Sequence, residues 1–152
     1  MKELIEWTEN YIKSKYALNN TMSLKKTNNK IEVSLKEKTI TYNMMLFLNE
    51  QVFSEKNTII VCLNDKKNLD FVLKNWKTLS AMKGLSLIFV NLDRNDKWIL
   101  NPYLHNIIAD PNSLETGLKT LFDSANGNLV EENIKRKKTK LFEKETDDTE
   151  EF

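Results

Sequence analysis

Glycine occurs three times, at Gly84, Gly117 and Gly127, and cysteine and histidine once each, at Cys62 and His105. Three scattered glycines cannot form a phosphate-cradling loop: a Walker motif or a dinucleotide fingerprint needs several within a few residues, so that backbone can close on a phosphate. A lone cysteine excludes an intrachain disulfide framework and thiolate clusters for zinc or iron–sulfur chemistry, and it fits a reducing compartment. A lone histidine excludes a His-His metal pair within the chain; as a general base it would need a partner such as Asp110. No apolar run is longer than that at residues 44–48, far shorter than the ~20 residues of a spanning helix, and the amphipathic start is unlike a secretory signal. A soluble, cytoplasmic chain without membrane contact is the expectation. An excess of one charge is also missing. With 23 basic and 22 acidic residues the net charge is +1, which gives no global drive toward nucleic acid or an anionic membrane.

What is present is a globular composition, 40% hydrophobic and 30% charged over 152 residues, the size of one domain. Leu4, Ile5, Trp7, Tyr11 and Ile12 recur at helical spacing, which predicts an amphipathic helix over residues 2–16. Residues 19–29 are polar and Asn-rich and read as a loop. Ile31, Val33 and Leu35 alternate with polar residues, and 39–48 continues the alternation after a turn at Glu37 and Lys38, so the two stretches predict an antiparallel hairpin. Residues 58–63, apolar after Thr58, and 85–90 are runs of the kind covered on both faces. Between them Leu69, Val72, Leu73, Trp76, Leu79 and Met82 mark one helix ending at Gly84, which makes a parallel β-α-β unit. Val61, Leu63, Leu73, Trp76 and Phe89 are expected to share its core. Residues 98–100 are an added strand or an extended loop. Asn112 with Glu115 suggests an Asn-headed capping box for a last helix that ends near Gly127. The fold predicted is thus a three-layer α/β/α domain over residues 1–127, with a mixed sheet of four to five strands. Residues 128–152 are expected to be a disordered, charged tail.

The order helix, hairpin, strand, helix, strand over residues 2–91 resembles the α-β-β-β-α-β core of the restriction-endonuclease-like nucleases. That resemblance implies a metal site with an acid-x-Lys pair on the third core strand, the carboxylates holding Mg²⁺ and the lysine positioning water. The corresponding stretch here reads Ile59, Ile60, Val61, Cys62, Leu63, which departs from the pattern and implies a copy without the catalytic centre. Leu63-Asn64 with Asn68-Leu69, Lys74-Asn75-Trp76, Phe89-Val90-Asn91, Lys97-Trp98-Ile99, Pro102-Tyr103 and Ser113-Leu114 resemble phrases of small archaeal α/β proteins of unassigned role, over residues 58–122. No activity comes with that second resemblance.

Open α/β sheets bind ligands beyond the carboxyl ends of their parallel strands, which points to Asn64, Asp65, Asn91, Asp93 and Arg94 as a rim. Helix capping and a tight turn would account for the same residue types. Trp98, beside Lys97, is assigned to that rim as a stacking or contact residue, and His105 completes the set. Cys62, inside an apolar strand, reads as an inert core thiol. In the tail, Lys135, Arg136, Lys137, Lys138 and Lys140 are a candidate nucleic-acid contact, offset by the acidic stretch 143–151. The resulting expectation is a non-catalytic interaction domain that binds protein, a second copy of itself, or nucleic acid. No catalytic, metal or cofactor residue is assigned. The competing class is a metal-dependent, nuclease-like hydrolase with an atypical centre drawn from Glu32, Glu50, Asp65 and Asp93.

Overall fold

In the computed structural model, which describes residues 1–19 and 21–127, the first amphipathic stretch forms helix α1 (Lys2–Lys15). Leu4 and Ile12 are its fully buried apolar residues, and Glu3 in the first turn and Lys13 and Lys15 in the last carry the signs that the helix dipole favours. Strands β1 (Ser23–Thr27), β2 (Lys30–Ser34) and β3 (Thr39–Met44) follow, then a 3-10 turn at Glu50–Ser54 and strand β4 (Thr58–Leu63). Helices α2 (Lys66–Lys74) and α3 (Trp76–Leu79) lead to strands β5 (Ser86–Asn91) and β6 (Asp96–Leu100), and helices α4 (Pro102–Ile108) and α5 (Leu114–Asn126) close the order. The six strands form one mixed sheet in which spatial order equals chain order. β1, β2 and β3 pair antiparallel, β3, β4 and β5 pair parallel, and β6 returns antiparallel to β5.

The sheet therefore has six strands, not four to five. β1 escaped detection because Leu24 is its only large apolar residue. It lies at the edge of the sheet, where Lys25 and Lys26 can face solvent and discourage pairing with another chain. Its turn into β2 is the two-residue loop Asn28-Asn29, and Asn28 takes a positive φ of 29°. Asn57 and Asn95 are the other non-glycine residues with positive φ among those described. In a chain this poor in glycine, asparagine fills the left-handed positions, because its short side chain tolerates them better than others do.

Side-chain alternation divides β4 and β5 between two apolar clusters. Ile60, Cys62, Leu87 and Phe89 pack with Leu69, Val72, Leu79 and Leu118; Ile59, Val61, Ile88 and Val90 pack with Leu4 and Ile12 of α1 and with Ile31, Val33, Tyr42 and Met44. A strand that serves two clusters needs apolar residues of both parities, hence the continuous runs; each fully buried aliphatic chain contributes about 1.5–3 kcal/mol. The same alternation corrects the expected common core. Val61 and Leu63 pack on the α1 side, whereas Leu73, Trp76 and Phe89 pack with the α2 cluster.

The helix expected from Leu69 to Met82 breaks at Asn75, whose Nδ2 donates to the Phe71 carbonyl at 2.8 Å and so competes with the helical ladder. The Asn112 capping box does not form. Asn112 instead donates its backbone N–H to Asp110 Oδ1 at 3.1 Å, and α5 starts behind Ser113 without a side-chain cap. Among the described residues no helix is long and apolar enough to cross a membrane.

Candidate functional site

Strands β4 and β5 end side by side, and the residues just beyond them are among those expected to form a binding rim. Their polar groups are instead consumed by the fold. Asn64 Oδ1 accepts from Trp98 Nε1 at 2.7 Å, while its Nδ2 donates to the Phe122 carbonyl and to Asn126 Oδ1, both at 3.0 Å. Asn91 Nδ2 donates to the Ala125 carbonyl at 3.2 Å and to the same Asn126 oxygen at 3.0 Å, and Asn91 Oδ1 accepts the Arg94 backbone N–H at 3.1 Å. Asn126 thus takes a hydrogen bond from each strand end and seats the last turn of α5 over both. Such bonds add about 1 kcal/mol each, but a partner left unpaired in a buried place costs about 1–3 kcal/mol, so the joint is held mainly by what its loss would expose.

Gly127 completes the seat. Its φ of +70° is the left-handed cap that glycine adopts without strain, and a Cβ there would stand 2.6 Å from the Arg94 guanidinium carbon. Arg94 therefore lies across the C-terminal end of α5, where a cation suits the helix dipole. Asp65 caps α2, its Oδ1 accepting the Lys67 N–H at 2.8 Å. Asp93 is exposed in the turn between β5 and β6.

Trp98 is corrected from rim to core: it is 2% exposed and stacks on Phe89, its cross-strand neighbour, with ring centroids 4.2 Å apart. His105 stands apart from the rim set, half-buried on α4. Lys135, Arg136, Lys137, Lys138 and Lys140 lie outside the described residues. Asn68, not singled out by sequence, makes a second joint of the same kind. Its Oδ1 accepts from Leu48 N at 2.8 Å, and its Nδ2 donates to the carbonyls of Leu46 at 2.9 Å and Leu63 at 2.8 Å.

The α1 side carries an aromatic group. Trp7 stacks on Tyr11 at 5.3 Å, Tyr11 meets Tyr42 edge-on at 6.4 Å, and the hydroxyls of Tyr16 and Tyr42 lie 3.1 Å apart. Burial pushes the Tyr11 hydroxyl up to about 12, and it raises Tyr16 and Tyr42 as well. The Tyr11 Oη is buried without a hydrogen-bond partner among the described residues. Trp7 Nε1 donates to Asn95 Oδ1 at 2.9 Å and ties α1 to the β5–β6 turn. Burial likewise holds the Cys62 thiol protonated, so it offers no ready nucleophile. Among the described residues no group of three or more His, Cys, Asp or Glu side chains is placed to hold a metal ion. Glu32 and Glu50 are exposed on β2 and in the 3-10 turn.

The feature that sequence reading missed is α4. Asn101 caps it, its Oδ1 accepting the Leu104 N–H at 3.1 Å, and Pro102 opens it with a φ already suited to a helix. Leu104, Ile107 and Ile108, at the i, i+3 and i+4 positions of one helix face, are 51%, 62% and 79% exposed. The Asn101-Pro102 start and that spacing were the available signals. Trp76 Nε1 donates to Asn106 Oδ1 at 2.9 Å and the Lys83 ammonium sits 5.5 Å over the Tyr103 ring, so α4 rests beside α3 and the Lys83 that follows it. Lys74, Lys77 and Lys83 are exposed, and none has a carboxylate within ion-pair distance among the described residues. No protein-family model, no curated protein and no solved structure matches the chain, so the site is read from its own geometry.

Proposed function

We propose that this chain is a non-catalytic interaction domain, built as a sheet between α1 and the group α2–α5, which binds a protein partner through the outer face of α4. The observation that carries the reading is the exposure of Leu104, Ile107 and Ile108 together on one short helix. Single exposed apolar residues are ordinary, but a contiguous set costs solubility and marks a contact surface. The Lys83 ammonium, held over the Tyr103 ring of the same helix, sets a cation beside the patch, which suits a partner with an apolar surface flanked by a carboxylate. Two facts support binding over catalysis: strand β4 carries no carboxylate or lysine, and the asparagines at the ends of β4 and β5 spend their amides on Asn126.

The test is affinity capture by the full chain and by an Ile107→Asp, Ile108→Asp variant, with sedimentation of each alone. A protein retained by the parent and reduced at least tenfold in the variant supports the reading, and self-association abolished by the same change makes the partner a second copy. Capture that is indifferent to the substitutions rejects α4 as the surface. Single-stranded, double-stranded and branched DNA and RNA are incubated in parallel with Mg²⁺ or Mn²⁺. Cleavage by the parent that disappears in a Glu32→Ala, Asp65→Ala variant would replace the interaction domain with the hydrolase.

A further inference from the structure

The surface of α4 has itself the chemistry that it asks of a partner. Leu104, Ile107 and Ile108 supply the exposed apolar face. At its N-terminal end the Lys83 ammonium stands over the Tyr103 ring. Two residues past its C-terminal end Asp110 is exposed, and its carboxylate meets only neutral donors, the Asn112 backbone N–H at 3.1 Å and the Ser113 hydroxyl at 3.4 Å. Neither Lys83 nor Asp110 has an opposite charge within ion-pair distance among the described residues. The stripe is thus cationic at one end, apolar in the middle and anionic at the other. We propose that the partner is a second copy of this chain, α4 packing antiparallel on α4 about a two-fold axis, with Lys83 of each copy meeting Asp110 of the other. The inference rests on α4 being the binding surface, and it names what binds there.

The spacing suits that symmetry. Tyr103 and Asp110 are about 10 Å apart along the chain direction at the helical rise, and the centre of that span lies beside Asn106 and Ile107. An antiparallel pair centred there lays Leu104 against Ile108 of the second copy and brings the two Ile107 side chains to the axis, while each Lys83 reaches the Asp110 end of its neighbour. A parallel pair would set Lys83 beside Lys83 and Asp110 beside Asp110, so charge selects the antiparallel one. Two-fold symmetry also makes every favourable contact twice, which lets so short a helix serve as an interface. The face remains small. With three apolar residues a side it falls below about 1,200 Å² in total, which supports an exchanging dimer with a dissociation constant on the order of 10–100 μM rather than an obligate one.

Sedimentation equilibrium of the full chain over a concentration series tests this. The parent should pass from monomer to dimer across that range, and Ile107→Asp with Ile108→Asp should abolish the dimer. Lys83→Asp alone and Asp110→Lys alone should each weaken it at least about tenfold, since either change makes the two ends of the stripe alike. An equimolar mixture of the Lys83→Asp and Asp110→Lys chains should associate again, to within about threefold of the parent, because acidic ends then meet basic ends in a mixed dimer. All four positions are exposed, so the urea midpoints of the variants, taken at dilutions where the chain is monomeric, should match the parent. A parent that stays monomeric to about 1 mM, a dimer indifferent to the isoleucine changes, or a mixture that fails to re-associate overturns the proposal. The capture assay separates this from the wider reading. A different protein retained by a monomeric parent and lost with Ile107→Asp and Ile108→Asp leaves α4 as the surface and removes only the second copy, whereas capture and association both indifferent to those changes remove both.

Discussion

At the ends of β4 and β5, Asn64, Asn91, Asn126 and Trp98 turn their polar groups inward and bond them to one another or to backbone. At the far end of α5, α4 turns Leu104, Ile107 and Ile108 outward. One region is polar and closed, the other apolar and open. A polar residue at a strand end is a candidate for ligand contact only while its hydrogen-bonding capacity is unspent, and an apolar residue is core only when something packs against it. Counting partners, rather than residue type, separates scaffold from surface.

The largest effect that sharpens this contrast is expected at Trp98. Trp98→Ala should cost about 3–5 kcal/mol, since it empties a buried site and strands the Asn64 oxygen, whereas Trp76→Ala, half-buried, should cost about 1–2 kcal/mol. Equal shifts in urea midpoint would mean that the two indoles share one environment. Asn64→Ala should cost about 2–3 kcal/mol by leaving the Trp98 N–H without its acceptor and α5 without one of its anchors. A midpoint within error of the parent would show the joint to be dispensable.

Tyr11 tests the rule from the opposite direction, as a buried hydroxyl with no partner among the described residues. Tyr11→Phe should therefore leave stability at neutral pH unchanged or raise it by about 1 kcal/mol. Its hydroxyl stays protonated in the fold up to about 12, above its ordinary value of 10.0. The folded chain then holds a proton that the unfolded chain has lost, so stability should be flat below pH 10 and fall as pH rises toward 12. Tyr16 and Tyr42 act in the same sense, and Tyr11→Phe should make the fall shallower in alkaline denaturation. A slope unaltered by the substitution would assign the loss elsewhere. Smallest of all, Ile107→Asp with Ile108→Asp should move the midpoint by no more than about 0.5 kcal/mol, because both side chains already face water. A larger loss would place α4 in the core and remove the open half of the comparison.

The elements that the sequence disclosed are those whose periodicity is enforced by burial. Leu4 and Ile12 disclosed α1, and the runs at 58–63 and 85–90 disclosed the parallel pair, because packing demands those patterns. β1 and α4 were hidden for the converse reason: an edge strand with Lys25 and Lys26 and a helix with its apolar side in water owe little to the core. Trp98 was misplaced because neighbouring Lys97 and Arg94 suggested a rim, while its pairing across from Phe89 depends on a hairpin register that composition does not reveal. Asn64 and Asn91 do stand at the ends of β4 and β5. Their function as a joint depends on Phe122, Ala125 and Asn126, some sixty and thirty-five positions away, as the separations of 58, 62, 34 and 35 residues show.

Because spatial order equals chain order across the sheet, each strand finds its neighbour in the stretch of chain just before or after it, and few long loops need to close before pairing begins. Such a topology favours rapid propagation, with the ladder extended one strand at a time. The exceptions are the contacts that bridge distant sequence: the carboxamide joint of α5, and the Trp7 to Asn95 bond across 88 residues that fastens the first helix to a late turn. These closures carry the greatest entropic cost and are expected last. Helix α1, although it precedes the strands, would then be the final piece to dock, and the Trp7 indole emission should recover after that of Trp98 when refolding is followed with single-tryptophan variants.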